Sequence, residues 1–449
     1  MKVIIVGAGE VGFYLAKMLS NENNDIVIVE NDHNKCIKAQ ESLDVIAIQG
    51  NGTSIETLIE AGIKDADMIV AVTNIDEVNI VSCILANKMG VSKKVARVRN
   101  PEYTSKNAII TPEQLGIDLM IHPEVEAAAE VIRLLKRSSA TDVIDFESAG
   151  MQILGIRIDS RTAPIIGKPL HQITNDFSDI VFRTVAIYRN GKTIIPKGKD
   201  LIFFKDQIFV IAKINSIPGV LKLVGKEDEK VNNIMILGGG IIGRLIAEEL
   251  EKIKDLEIKL IESDKERSQV IADQLTKTLV IQGEGTDIDL LARENLSDMD
   301  SFIALTNDDE DNLFSSLLAK HLGVKRAIVL INKSEYLPII NSIGLDAAVS
   351  VKVTTVDAIL RFIRRGHVLS VSTLKEIDAE IMEIVAQEGS QITKKKLKDT
   401  GFPDSAIIGA IFRDNEVIIP VGTTQIKPGD QVNVFALPEA IQKVEKIFV

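Results

Sequence analysis

An apolar run at residues 3–6 leads straight into Gly7-Ala8-Gly9-Glu10-Val11-Gly12, and a second run at 234–237 leads into Gly238-Gly239-Gly240-Ile241-Ile242-Gly243. The two stretches lie 231 residues apart, about half of the 449-residue chain. A single G-x-G-x-x-G is a weak signal. Two copies, each between an apolar strand and an amphipathic stretch and each followed by an acid, restrict the chain to a duplicated strand–turn–helix unit built around a phosphate-sized gap.

The repeat extends well beyond the glycines. Gly50-Asn51-Gly52-Thr53 returns as Gly283-Glu284-Gly285-Thr286, and Ala71-Val72-Thr73-Asn74 as Ala304-Leu305-Thr306-Asn307, both offset by 233. Asn79 returns as Asn312, and Glu102-Tyr103 as Glu335-Tyr336. An offset held this closely is duplication. Strands are expected at 2–6, 25–29, 44–48, 68–72, 94–97 and 119–121, with helices such as 11–19 and 78–89 between them. That is the pattern of a doubly wound parallel sheet. A helix ends each unit, at 124–136 and 354–365.

A smaller module follows each unit. Ala186-Ile187-Tyr188-Arg189-Asn190-Gly191, then Ile194-Ile195-Pro196 and Lys205-Asp206-Gln207, return with offset 224 as Ala410-Ile411-Phe412-Arg413-Asp414-Asn415, Ile418-Ile419-Pro420 and Gly429-Asp430-Gln431. Alternation around Asn190-Gly191 and Asp414-Asn415 predicts β-hairpins. The charged stretch Gly225-Lys226-Glu227-Asp228-Glu229-Lys230 reads as a linker. The expected fold class is α/β: two doubly wound parallel-sheet domains at 1–137 and 231–365, each followed by a small α+β domain, at 140–225 and 368–449.

Each fingerprint glycine has a physical task. Gly7 and Gly238 allow the tight turn, Gly9 and Gly240 let the backbone approach a pyrophosphate, and Gly12 and Gly243 let the helix pack on the sheet. The helices opening at Glu10-Val11 and Ile241-Ile242 then aim free N–H groups and a positive dipole end at the phosphates. Glu30 lies eighteen residues past Gly12, and Glu262 nineteen past Gly243. A carboxylate there accepts from both ribose hydroxyls and repels a 2′-phosphate, so NAD(H) or an adenosine nucleotide is expected rather than NADP. Asp32 and Asp264, two residues on, are expected to strengthen this preference. Thr73-Asn74 and Thr306-Asn307 end the fourth strands, where a ligand crevice opens. They are candidates for the phosphate or second-ribose side, with helix N-caps as the alternative. Thr53 and Thr286 are candidates for similar roles. Arg97 and Arg99 alternate onto one face at the end of the fifth strand and suit phosphate pairing, against an inter-subunit salt bridge. Leu330 and Asn332 stand at the matching places, so the two halves are expected to differ in ligand. The candidate cofactor set is Gly7, Ala8, Gly9, Glu10, Val11, Gly12, Glu30, Asn31, Thr53, Thr73, Asn74, Arg97, Arg99, Gly238, Gly240, Ile241, Ile242, Gly243, Glu262 and Thr306.

Composition excludes several classes. The net charge of −12 argues against nucleic-acid binding. The two cysteines, Cys36 and Cys83, form no C-x-x-C pair, so neither a zinc site nor a disulfide framework is expected, and a reducing cytoplasm fits. No signal peptide or membrane-spanning run is expected. The five histidines, His33, His122, His171, His321 and His367, are scattered without metal spacing. No motif supplies the positioned acid or base that a dehydrogenase needs for a second substrate, so no enzyme activity is expected. An NAD-dependent oxidoreductase with an unrecognised substrate domain is the alternative.

Taken in order, Gly7-x-Gly9-x-x-Gly12, Glu30, Gly50-Asn51-Gly52-Thr53, Ala71-Val72-Thr73-Asn74, Arg97-Val98-Arg99-Asn100-Pro101-Glu102-Tyr103 and the small module, all repeated, resemble the cytosolic regulatory subunits of the bacterial Trk potassium-uptake system. These are tandem domains of the kind that regulate potassium conductance (RCK) in channels. The resemblance covers essentially the whole chain. It implies a Rossmann-like fold and a peripheral homo-oligomer, a ring of usually four subunits. Such a ring docks on the cytoplasmic face of a membrane potassium transporter and touches the membrane only through that pore subunit. It also implies that NAD(H), ATP or ADP bias the ring shape and so gate potassium uptake. The family's nucleotide positions fall on Gly7, Gly9, Gly12, Glu30, Arg97 and Arg99, and on Gly238, Gly240, Gly243 and Glu262. The absent arginine pair leaves the second site's ligand open.

Overall fold

The structure is a computed structural model that describes residues 1–21, 24–103, 109–137, 139–146, 150–227, 231–340, 342–363, 368–373, 379–414 and 416–448. It divides into two compact units, one of Met1–Ala127 with Val351–Ile363, the other of Ala128–Ser350 with Arg364–Val449.

The first unit is built on the strands β1 (Lys2–Val6), β2 (Asp25–Glu30), β3 (Ile46–Gln49), β4 (Met68–Ala71), β5 (Lys93–Arg97) and β6 (Leu119–Ile121). They form one sheet in the order β3-β2-β1-β4-β5-β6, with every pair parallel. The order reverses at β1, which places a crevice beyond the strand C-termini. The central strands β1, β2, β4 and β5 are buried on both faces, as their aliphatic runs require, while the edge strand β3 is largely exposed. Val3 and Ile5 face one layer with Leu15 and Leu19 of α1 (Glu10–Ser20). Ile4 and Val6 face the other with Leu58, Ile80 and Cys83. The helices α2 (His33–Ser42), α3 (Ile55–Glu60) and α4 (Asp76–Lys88) complete the alternation, and α5 starts at Pro123.

A helix from far down the chain completes this unit. Val351–Ile363 packs Val356, Ile359, Leu360 and Ile363 into the layer that holds Val3, Ile5 and Leu15. The Lys93 ammonium donates to the Ile363 carbonyl at 2.7 Å, a cation at a helix C-terminus. Arg361 pairs with Glu126 at 3.2 Å. The helix was expected at 354–365. It begins earlier, at Val351, with Val353 already buried, and burial outweighs weak helix propensity. Residues 364–367, His367 included, lie outside the described residues.

In the second unit a sheet of six parallel strands repeats the first: β7–β11 belong to the small module before it, and Asn233–Leu237 is β12, followed by β13 (Glu257–Glu262), β14 (Leu279–Gln282), β15 (Ser301–Ala304), β16 (Arg326–Leu330) and β17 (Ala347–Val349), in the order β14-β13-β12-β15-β16-β17. The small modules are antiparallel five-stranded sheets. The first has the order β10-β9-β11-β8-β7, with β7 Asp142–Phe146, β8 Met151–Arg157, β9 Phe182–Arg189, β10 Lys192–Ile194 and β11 Gln207–Lys213. The second has the order β18-β19-β22-β20-β21, the same topology, with β18 Val368–Thr373, β19 Glu380–Val385, β20 Ala406–Arg413, β21 Glu416–Ile418 and β22 Gln431–Ala436. Phe146, Phe209, Ile211, Ile381, Ala410 and Phe435 make one core shared by both sheets.

The expected hairpin at Asn190-Gly191 joins β9 to β10, with φ of 49° and 76°, the two positive values a type I′ turn requires. Asn415, in the second expected hairpin, and Asp228 to Lys230, in the expected linker, lie outside the described residues. Each small module repeats one buried ion pair. Arg189 grips Asp206 with bonds of 2.7 and 2.6 Å, and Arg413 grips Asp430 with the same two distances. Asp206 and Asp430 also accept main-chain N–H groups from Phe203 and Lys427, tying down the loop before the last strand. Among the described residues, no helix is long and apolar enough to cross a membrane.

Candidate functional site

The first crevice is built from the turn between β1 and α1. Gly7 has φ of +104°, a region that favours glycine. Its N–H donates to the Val29 carbonyl at 2.8 Å, holding the turn against β2. A Cβ on Gly12 would lie 1.9 Å from the Gly7 carbonyl oxygen, so only glycine lets the helix approach this closely. A Cβ on Gly9 would meet nothing within 4 Å. The space over Gly9 is open, as a backbone meant to receive a phosphate requires. Glu10 and Val11 begin α1, with Gly9 at its N-cap and no side chain bonded there, so the helix presents free N–H groups.

Glu30 ends β2 at the rim of this turn. Its carboxylate accepts from the Ala8 N–H at 2.6 Å and from the Asp32 N–H at 3.0 Å. One N–H on each oxygen orients the group and leaves further lone pairs for two hydroxyls. Asp32 also has a structural task. It caps α2, accepting from the N–H groups of Asn34 and Lys35, and Asp264 caps the matching helix Lys265–Gln274. These carboxylates are committed to helix ends. Asn31 lies beside the rim, its carbonyl accepting from Gln49 at 3.3 Å.

The loop after β4 is held by a residue that motif reasoning did not single out. Asn79 of α4 is fully buried. Its Oδ1 accepts from the N–H and hydroxyl of Thr73, at 2.9 and 2.7 Å. Its Nδ2 donates to the carbonyls of Thr73 and Arg97, at 3.1 and 2.8 Å. One amide thus clamps the ends of β4 and β5 together. Asn312 repeats all four bonds to Thr306 and Leu330. The signal was its return at the same offset within an apolar helix face. Neither Thr73 nor Thr306 caps a helix. The residue before α4 is Ile75, with no side-chain cap, while Asp308 caps Asp309–His321. Thr53 bonds Asn51, and the caps of the neighbouring short helices are Ser54 and Asp287 rather than Thr53 and Thr286. Asn74 is exposed at the mouth of the crevice.

Arg97 and Arg99 stand at the end of β5. Among the described residues, the Arg97 guanidinium donates one bond, to the Thr73 carbonyl at 3.1 Å, and its buried Nε has no partner. Burial and the neighbouring Arg99 both lower its pKa. Arg99 pairs with Glu124 at 2.7 Å, and the second Glu124 oxygen lies 3.4 Å from His122 Nδ1. Burial by itself raises the Glu124 carboxyl, but His122 and Arg99 outweigh it and hold the group at about 2. Asp76 accepts the N–H groups of Arg99 and Asn100, fixing this strand end over α4.

The second crevice keeps the frame. Gly238 has φ of +103°, a Cβ on Gly243 would lie 2.0 Å from the Gly238 oxygen, and Gly240 opens onto free space. Ile241 and Ile242 begin the helix, and Glu262 accepts from the Gly239 N–H at 3.0 Å. Glu262 is more buried than Glu30, beneath Arg267 at 3.6 Å. The cleft encloses about 200 Å³, and Glu284, Thr306 and Asp311 also line it.

Among the described residues, no three or more His, Cys, Asp or Glu are grouped to hold a metal. Cys36 and Cys83 are both free and buried, and burial pushes the Cys83 thiol up to about 12.

Fold and crevices together define a class: two tandem parallel-sheet units of dinucleotide-binding architecture, each followed along the chain by a small antiparallel module. The TrkA-N domain matches residues 3–123 and again 234–351, and the TrkA-C domain matches 381–449. The chain is 37% identical to Trk system potassium uptake protein TrkA homolog 2 of Methanosarcina mazei, over all of both chains. It is 36% identical to Trk system potassium uptake protein TrkA of Azorhizobium caulinodans, over all of this chain and 98% of that one. The chain therefore belongs to the TrkA family of Trk system potassium uptake proteins. Among solved structures, the GsuK channel bound to NAD matches all of this chain and 78% of its own, with a TM-score of 0.61 at 16% identity, a likeness of fold.

Proposed function

We propose that this chain is a peripheral regulatory subunit of a membrane potassium transporter, a non-catalytic sensor that binds NAD(H), ATP or ADP in its parallel-sheet units. The observation that carries the reading is Arg97. Arg97 is half-buried, its guanidinium donates one bond, and its buried Nε has no partner among the described residues, which is costly unless an anion completes its shell. It shares its sheet unit with a glycine turn open over Gly9 and a helix N-terminus free of side-chain caps. A phosphate oxygen supplies the missing acceptor. Binding would lean on Gly7, Ala8, Gly9, Gly12, Glu30, Thr73, Asn74, Arg97 and Arg99 in the first half, and on Gly238, Gly240, Gly243, Glu262 and Thr306 in the second. Domain limits of 1–137, 140–225, 231–365 and 368–449 belong to the same proposal.

Regulation then follows from linkage. A nucleotide shifts a two-state assembly only by the difference in its affinity for the two states. Family membership supports a homo-oligomeric ring, a tetramer in this proposal, on the inner face of the membrane, with the pore subunit as its sole membrane contact. The test is calorimetric titration of the purified protein with NADH, NAD, ATP and ADP, beside a Gly9→Asp/Gly240→Asp variant. A paired flux assay uses the transporter in vesicles. Saturable binding lost in the variant, with nucleotide-dependent potassium flux, is the expected result. Absence of binding by all four nucleotides would refute the sensing role.

A further inference from the structure

The second crevice keeps the backbone of the first and is more acidic. Four lining or strand-end positions change towards negative charge. Asn51 becomes Glu284, Val78 becomes Asp311, Arg97 becomes Leu330 and Arg99 becomes Asn332. Two cations are lost and two carboxylates gained. Glu284 and Asp311 line the cleft, and both are exposed with no ion pair or side-chain hydrogen bond among the described residues. The cation in the cleft, Arg267, sits over the Glu262 carboxylate at 3.6 Å. Ile241 in place of Glu10 runs the other way, but it does not line the cleft. Lys333, new at the place of Asn100, has its ammonium on Glu310 at 2.6 Å.

The frame is intact while the charge is not. The glycine turn, the acid at the strand tip and the four-bond asparagine clamp are all present. The helix N-terminus opposite Gly240 still suits a pyrophosphate. What changes is the far end, around Asp311, Leu330 and Asn332, where the first crevice offers Arg97 beside the Arg99–Glu124 pair. Terminal phosphates placed there would meet a carboxylate and an apolar side chain. A cationic ring would meet a favourable field.

Resting on the nucleotide-sensing reading, we infer that the second crevice selects the oxidised nicotinamide dinucleotide, whose distal ring carries a positive charge, over the reduced form and over ADP or ATP. The pyrophosphate lies on the helix end, the adenosine ribose meets Glu262, and the cationic nicotinamide faces Asp311. The first crevice, with Arg97 and Arg99, favours the opposite order.

The experiment uses the full chain with the first crevice blocked by Gly9→Asp. Titration with NAD, NADH, ADP and adenosine is expected to give NAD the tightest binding, roughly tenfold over NADH, the order of one near-surface charge contact. Asp311→Asn, an exposed change that leaves the packing alone, is expected to remove most of that ratio. Leu330→Arg/Asn332→Arg, with folding checked by circular dichroism, is expected to raise ADP affinity at least tenfold. Equal binding of NAD and NADH, ADP tightest, adenosine as tight as NAD, no binding to the blocked chain while the native chain binds, or an unchanged ratio in Asp311→Asn would each overturn the inference and leave the sensing role standing. No nucleotide binding by the native chain would instead sink the sensing role itself.

Discussion

Asn79→Ala removes the clamp between the ends of β4 and β5, and the structure sets the size of the effect. Four hydrogen bonds are lost. The Thr73 carbonyl keeps the Arg97 guanidinium at 3.1 Å, and the Thr73 hydroxyl keeps the Ile75 carbonyl at 3.1 Å. Two main-chain groups are left without these partners, the Thr73 N–H and the Arg97 carbonyl. An orphaned buried polar group costs about 1–3 kcal/mol. Thr73 is only half-buried, so water offsets part of the loss, and about 3 kcal/mol in total is expected. Native-state hydrogen exchange reads the effect locally, because local opening governs it and about 1.4 kcal/mol is a factor of ten. The Thr73 amide is expected to exchange at least tenfold faster. ADP affinity should fall in parallel, since the Arg97 strand end is no longer fixed. Asn312→Ala provides an internal comparison. No guanidinium backs up the Thr306 carbonyl, because position 330 is leucine, so its loss should be the larger. Unchanged exchange at Thr73, or a smaller effect at Asn312 than at Asn79, would refute this reasoning.

Gly12→Ala, with its Cβ 1.9 Å from the Gly7 oxygen, is expected to lower the melting temperature and abolish nucleotide binding. Gly9→Ala, which meets nothing within 4 Å, should melt normally and lose affinity only, so calorimetry on both separates packing from recognition. The Glu124 carboxyl is depressed from 4.5 to about 2. Its stabilisation is therefore present above the ordinary carboxylate value and lost as pH falls towards 2. Glu124→Gln should be less stable than the native chain at neutral pH, and the gap should shrink on acidification, as followed by thermal melts across pH. Asp206→Asn leaves Arg189 without its ion pair beside a site only 2% exposed. A loss of about 3 kcal/mol in denaturant unfolding is expected, matched by Asp430→Asn in the second module.

Periodicity and turn chemistry made much of this fold legible. Lys2–Val6 and Leu119–Ile121 appear as expected to the residue, because apolar runs bounded by Gly and Asp are local signals. The third strand runs Ile46–Gln49 rather than 44–48, since its limits depend on pairing with β2, from Val27↔Ile46 to Glu30↔Gln49. The glycine turn was readable for the same local reason: positive φ and the missing Cβ are properties of single positions. The roles of Asp32, Thr73 and Thr53 were not, because a short polar side chain can serve a ligand or a helix end equally well, and only the neighbours decide.

The amino-acid sequence by itself determined the duplication, the strand and helix alternation, the acid at each second-strand tip and the absence of the arginine pair from the second half. All of these depend on residue identity and spacing along a short stretch. Tertiary structure alone decided that Val351–Ile363 closes the first sheet, that one buried asparagine ties two strand ends together, and that Arg97 Nε is left without a partner among the described residues. These depend on which surfaces meet across long separations, where burial and hydrogen-bond satisfaction are set by the whole packed unit rather than by any segment of it.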